Sequence, residues 1–202
     1  MDQVGPTVFL DACVLYSIVL CDALLTAAKS GLLRPTWSRE VEAEWLAAAA
    51  RNGPHSIERL VQRRDAMRRA RPDWEAVGRA TADTSTLDLP DPADVHVIEA
   101  AMAVDAEYIL TLNLRDFPDS VLSRIGIRAL HPDTFLSERF VHNASAMFEA
   151  FELLRQRLKR PPLAFEEFLD NWTRHGLSLL AARLKQQTLL STDQVGAVAS
   201  ST

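Results

Sequence analysis

The run Thr7-Val8-Phe9-Leu10 ends in a lone carboxylate, Asp11, before apolar residues resume at Val14-Leu15-Tyr16. A short, continuously apolar, β-rich segment fits a strand buried on both faces of a parallel sheet. An acid at its C-terminal end then stands at the sheet edge where ligands bind. Taken alone, Asp11 also fits a turn or helix cap. An ionised carboxylate is costly to desolvate unless a cation, a donor or a proton compensates it, so the question is what else converges on Asp11.

Strand-like and helix-like segments alternate from residue 7 to about 133, the pattern of an α/β fold with right-handed crossovers. Strands are predicted at 7–11, 32–37, 108–112 and 127–130. Pro35 places the second at an edge or a bend. Helices are predicted at 17–30, at 39–51 with Ser38 as N-cap, at 55–71 with another turn or two at 74–80, at 93–104 and near 120–124. Beyond Pro132 the pattern is helical only. Ala144, Met147, Phe148, Phe151, Leu154 and Leu158 recur at helical spacing, and further helices are predicted at 165–175 and 177–187. The organisation expected is a domain over 1–134, a helical extension over 135–190 and a flexible tail over 191–202.

The net charge of −5 argues against the global basic field of a DNA-binding domain, though not against a local basic patch. No apolar run reaches membrane-spanning length and Met1-Asp2-Gln3 does not open a signal peptide, so a cytoplasmic protein with no membrane association is expected. The two cysteines, Cys13 and Cys21, belong to no CxxC or Cys/His grouping and read as structural thiols.

Four acids fall where an α/β sheet can bring them together. Asp11 ends the first strand, Glu44 lies in the helix after the second, Asp94 starts the helix after an acidic loop, and Asp116 follows the strand at 108–112. Carboxylates sharing one edge repel each other unless a divalent cation neutralises them. Oxygen-only ligands suit Mg²⁺ or Mn²⁺, and such a centre suits phosphodiester hydrolysis. Glu40 on the face of Glu44, and Asp91 near Asp94, are rival ligands. Arg63, Arg64 and Arg68, in an arginine-rich helix, are candidates for RNA phosphates, with a solvated helix face as the alternative. His96 reads as structural, and the apolar stripe at 144–158 as internal core.

The segments Val8-Phe9-Leu10-Asp11-Ala12-Cys13-Val14-Leu15-Tyr16, Trp37-Ser38 leading to Glu44-Trp45, Asp94-Val95-His96-Val97 with Ala100-Ala101, and Thr111-Leu112-Asn113-Leu114-Arg115-Asp116-Phe117 together resemble a PIN domain. The likeness is to the VapC-like ribonucleases of bacterial toxin–antitoxin pairs and covers residues 7 to about 134. The C-terminal helices are similar to an extension seen in one subgroup. The resemblance implies a three-layer α/β/α fold with a mainly parallel sheet and an endoribonuclease dependent on Mg²⁺ or Mn²⁺. It implies Asp11, Glu44, Asp94 and Asp116 as catalytic acids, with Asp11, Asp94 and Asp116 on the metal and Thr111 and Asn113 in support. It also implies a small antitoxin partner, and relatives commonly form homodimers. Asn113 departs from the family's frequent aspartate, Cys13 from its small polar residue, and Glu99 from its small apolar one.

Three functions compete on these residues. The first is a ribonuclease that cuts single-stranded or loop RNA. A phosphatase of the haloacid dehalogenase type would need an aspartate where Cys13 stands. A non-catalytic PIN-like scaffold that binds RNA or protein is the third.

Overall fold

A computed structural model of the chain describes residues 5–53, 56–78, 84, 87–158 and 162–199. The chain divides into two compact units, residues 1–132 and 133–202.

The first unit is built on a four-stranded, wholly parallel sheet: β1 (Thr7–Leu10), β2 (Arg34–Thr36), β3 (Tyr108–Leu110) and β4 (Arg128–Leu130), in the order β2-β1-β3-β4. Val8, Phe9 and Leu10 are wholly buried, as a strand covered on both faces requires. The register sets Phe9 opposite Thr36 on one side and Ile109 on the other. Pro35, which cannot donate to a ladder, lies on the edge strand β2 as expected.

The helices are α1 (Ala12–Tyr16), α2 (Ile18–Lys29), α3 (Arg39–Asn52), α4 (Ile57–Ala70), α5 (Val95–Ala103) and α6 (Asp119–Leu122). Ser17 and Ser38 cap α2 and α3 through the backbone N–H groups of Leu20 and Val41. α2 packs against β2, α5 against β1 and β3, and α6 against β4. The chain leaves β1 towards β2 and leaves β3 towards β4, so the sheet reverses its winding between β1 and β3. That is the crevice where open parallel sheets place their ligands.

Two local expectations change. Residues 12–16, which the sequence pattern leaves unassigned, form the short helix α1. The extra helical turn expected at 74–80 is absent at 74–78, and residues 79 and 80 lie outside the described residues. Instead Glu75 forms a parallel bridge with Trp37, with Trp37 N–H donating to Trp74 O at 2.9 Å and Ala76 N–H to Trp37 O at 2.9 Å. Stacking decides this: the Trp74 ring lies 5.2 Å from Trp37, and the Arg68 guanidinium lies 4.5 Å over Trp74.

The second unit contains α7 (Pro132–Arg157), α8 (Phe165–Arg174) and α9 (Ser178–Ala199), so the last helix continues past residue 187. Backbone geometry breaks α7 at Asn143 (φ −139°, ψ 32°), where the side-chain amide donates to Arg139 O at 3.0 Å. The side chain thus takes the carbonyl that a continuous helix would give to its own backbone N–H. Met147, Phe151, Phe168, Trp172, Leu177, Leu180 and Leu184 are buried. Phe151 meets Trp172 edge-on, with ring centres 4.9 Å apart. No described helix is long and apolar enough to cross a membrane.

Candidate active site

Asp11 is the N-cap of α1, and its Oδ1 accepts from Ala12 N–H. The other carboxylate oxygen faces the end of β3. Oδ2 accepts from the hydroxyl of Thr111 at 2.6 Å and from the thiol of Cys13 at 3.0 Å. Thr111 has no solvent exposure, so this bond is shielded from competing water. The backbone N–H of Leu112 in turn donates to Cys13 Sγ at 3.2 Å. Burial and the neighbouring Asp11 charge push the Cys13 thiol up to about 12, which keeps it protonated as a donor to Asp11.

The chain of bonds runs on into the loop after β3. Asn113 N–H donates to Thr111 Oγ1 at 2.9 Å, and the Asn113 side-chain amide donates to Asp116 Oδ2. An aspartate at position 113 would offer no donor to Asp116 at neutral pH. The asparagine therefore lowers the negative charge of the loop and orients its last acid.

Glu44 and Asp94 come from α3 and from the turn before α5. Burial raises the Glu44 carboxyl, His96 opposes that, and Asp11 and Glu40 add to it. Asp94 is raised to about 6 by burial and then by the charges of Asp11, Asp91 and Asp116. The four expected acids thus act on one another electrostatically at this sheet edge. His96 Nε2 lies 3.0 Å from Glu44 Oε1, an ion-pair contact without hydrogen-bond alignment, while Nδ1 bonds Ala93 O at 2.6 Å. His96 therefore links the helix carrying Glu44 to the turn carrying Asp94.

The neighbouring acids have other partners. Glu42 is buried, accepts from Trp37 Nε1 at 3.3 Å and pairs with Arg68 through both oxygens. Glu40 is exposed, and Asp91 caps the turn at Pro92–Asp94 through Ala93 N–H at 2.9 Å. The arginines expected at RNA phosphates are also engaged. Arg68 holds Glu42, Arg64 pairs with Asp65 at 2.7 Å, and Arg63 donates to Leu15 O and Tyr16 O. The sequence signals that could have exposed these roles are weak: nothing in the spacing of His96 or Arg63 names a partner on another helix.

The donors at this edge are all carboxylate oxygens, the ligand type that hard divalent cations take. Burial raises Asp94 first, and the repulsion that adds to it is a charge excess such a cation relieves. In chemistry the residues fit Mg²⁺ or Mn²⁺. Among the described residues, however, no three His, Cys, Asp or Glu side chains are gathered into a ready cage.

Residues 132–186 match the VapC50 C-terminal domain. A 46-residue stretch is 50% identical to "Putative ribonuclease VapC50" of Mycobacterium tuberculosis, covering 23% of this chain and 27% of that protein. The match therefore spans about a quarter of that relative's length. No solved structure matches the chain. Residues 7–115, more than half of the 202-residue chain and the part that carries β1, β3 and the start of the Asp116 loop, match the PIN domain. The parallel sheet, the acids at its winding reversal and this match agree, and the chain belongs to the PIN-domain family.

Proposed function

We propose that this chain is an endoribonuclease dependent on Mg²⁺ or Mn²⁺ that cuts single-stranded or loop RNA in the cytoplasm. We propose further that it is the toxin of a pair neutralised by a small antitoxin. The observation that carries the reading is the grip of Thr111 and Cys13 on Asp11, beside an Asp94 whose carboxyl is raised by burial and then by the surrounding acids. The VapC50 matches support ribonuclease chemistry and the toxin role.

Asp11, Asp94 and Asp116 would hold the ion. When bound, it supplies positive charge against the phosphodiester and acidifies water. The protein's own residues do the rest. Thr111 and Cys13 fix the Asp11 rotamer, so one carboxylate is positioned before substrate arrives. Asn113 holds Asp116 by its amide. Glu44, its carboxyl raised by burial and contacted at Oε1 by His96, keeps Oε2 for the proton an attacking water loses.

Incubating the purified chain with end-labelled single-stranded RNA and Mn²⁺ tests the proposal. Cleavage that a chelator stops and Asp11→Asn abolishes is expected; equal cleavage by wild type and variant would sink it. The absence of a ready cage favours a second reading, an RNA-binding scaffold without catalysis. Calorimetric Mn²⁺ titration separates the two, because the scaffold binds RNA but no metal.

A further inference from the structure

We infer that Arg63 is a positioning residue that ties together the two helices presenting Asp11 and Glu44, rather than a contact for RNA phosphates; this rests on the metal-dependent nuclease reading. The helix α1 has only five residues, too few to be stable by its own hydrogen bonds. Its N-terminal end is Asp11. At its other end the last carbonyls lack intrahelical partners, and Arg63 from α4 meets them there. Nη2 donates to Leu15 O at 2.5 Å and Nη1 to Tyr16 O at 3.2 Å.

The same guanidinium lies 4.6 Å over the ring of Trp45, the residue that follows Glu44 on α3. Trp45 is fully buried and, among the described residues, its indole N–H has no hydrogen-bond partner, while its ring face meets the Arg63 cation of α4. The Arg63 charge also acts on Asp22 of α2. One planar cation thus closes the free end of the Asp11 helix and covers the neighbour of Glu44. Lysine has no planar fork with which to bond two carbonyls while stacking on a ring. With two of its five N–H donors committed to carbonyls and one face covered, the Arg63 guanidinium is oriented by the protein itself.

The two roles predict different losses. A positioning residue lowers metal affinity and leaves RNA binding unchanged. A phosphate contact weakens RNA binding and lowers the salt slope by about 1, with metal affinity unchanged.

The test uses the full chain as wild type, Arg63→Lys and Arg63→Ala. Mn²⁺ affinity is measured by calorimetry without RNA, and binding of a fluorescein-labelled single-stranded RNA is followed against NaCl in chelator. Circular dichroism melts accompany both. Arg63→Lys should remain folded, lose about tenfold in Mn²⁺ affinity as supporting residues of metal sites do, and bind RNA with an unchanged salt slope. Arg63→Ala should lose more; if it does not fold, the lysine variant decides. Unchanged Mn²⁺ affinity in Arg63→Lys overturns the inference alone, whereas no Mn²⁺ binding by the wild type overturns the nuclease reading and this inference with it.

Discussion

The two units treat their well-placed carboxylates in opposite ways. In the C-terminal unit, Asp133 is buried and accepts from the backbone N–H groups of Leu179 at 2.8 Å and Leu180 at 2.9 Å, and from the Ser178 hydroxyl at 3.3 Å. It caps the start of α9, where a negative charge is favourable. At the sheet edge of the first unit, burial and then the charges of Asp11, Asp91 and Asp116 hold the Asp94 proton up to about 6. One carboxylate is settled by donors and serves the fold. The other is left in a field of like charge, which is useful only when something positive joins it.

Substitutions should separate these two uses. The largest effect is expected from Asp11→Asn, which should cut RNA cleavage about a thousandfold or more, near 4 kcal/mol in the barrier, with little loss of fold. Urea melts read beside cleavage rates check this; a matching loss of stability would place Asp11 with Asp133. Asp133→Ala should act in the reverse sense. It leaves the first N–H groups of α9 without a cap and should cost about 2 kcal/mol of stability, measured by denaturant titration.

Asp94→Asn should be stabilising in the absence of divalent ions. Asp94 titrates at about 6 in the fold against an ordinary 3.8, so the folded chain binds this proton more tightly than the unfolded one. Its relative contribution is full below pH 4 and is lost as pH rises through 6. Discounted for partial exposure, the gain for the asparagine at pH 7 is about 1 kcal/mol and should vanish below pH 4. Thermal melts at the two pH values measure it, and a variant less stable at pH 7 would mean that Asp94 is settled like Asp133. The smallest change in stability is expected from His96→Ala. A partly exposed pair contributes less than about 1 kcal/mol, yet loss of the hold on Glu44 should slow cleavage several-fold at saturating RNA.

Most of the sheet is legible because it rests on local pattern. Apolar runs ending in Asp11 and Thr111 define two central strands, and Ser38 announces a helix through short-range capping. What escaped depends on pairings across the chain. The stretch after Pro72 looks helical until Trp74 meets Trp37, whose identity as partner no local rule supplies. His96 carries no mark of Glu44, which lies on another helix. The contacts of Arg63 and Arg68 escaped because their carbonyl, carboxylate and indole partners are remote in sequence, whereas Arg64 pairs with its neighbour Asp65. Cys13 was noticed as a departure; only the fold shows its thiol doing a hydroxyl's task on Asp11.

The bond between Thr111 and Asp11 joins residues 100 positions apart, and β3 enters the sheet beside β1 only after β2 and the following helices have been made. Contacts this distant in sequence close late. During synthesis, Asp11 therefore leaves the ribosome long before the hydroxyl that fixes it, and Glu44 precedes His96 by 52 residues of chain. A growing polypeptide of this design carries its first two acids unassembled until β3 is released. Under the proposed ribonuclease function, that order of emergence delays activity until translation of the first unit is nearly finished.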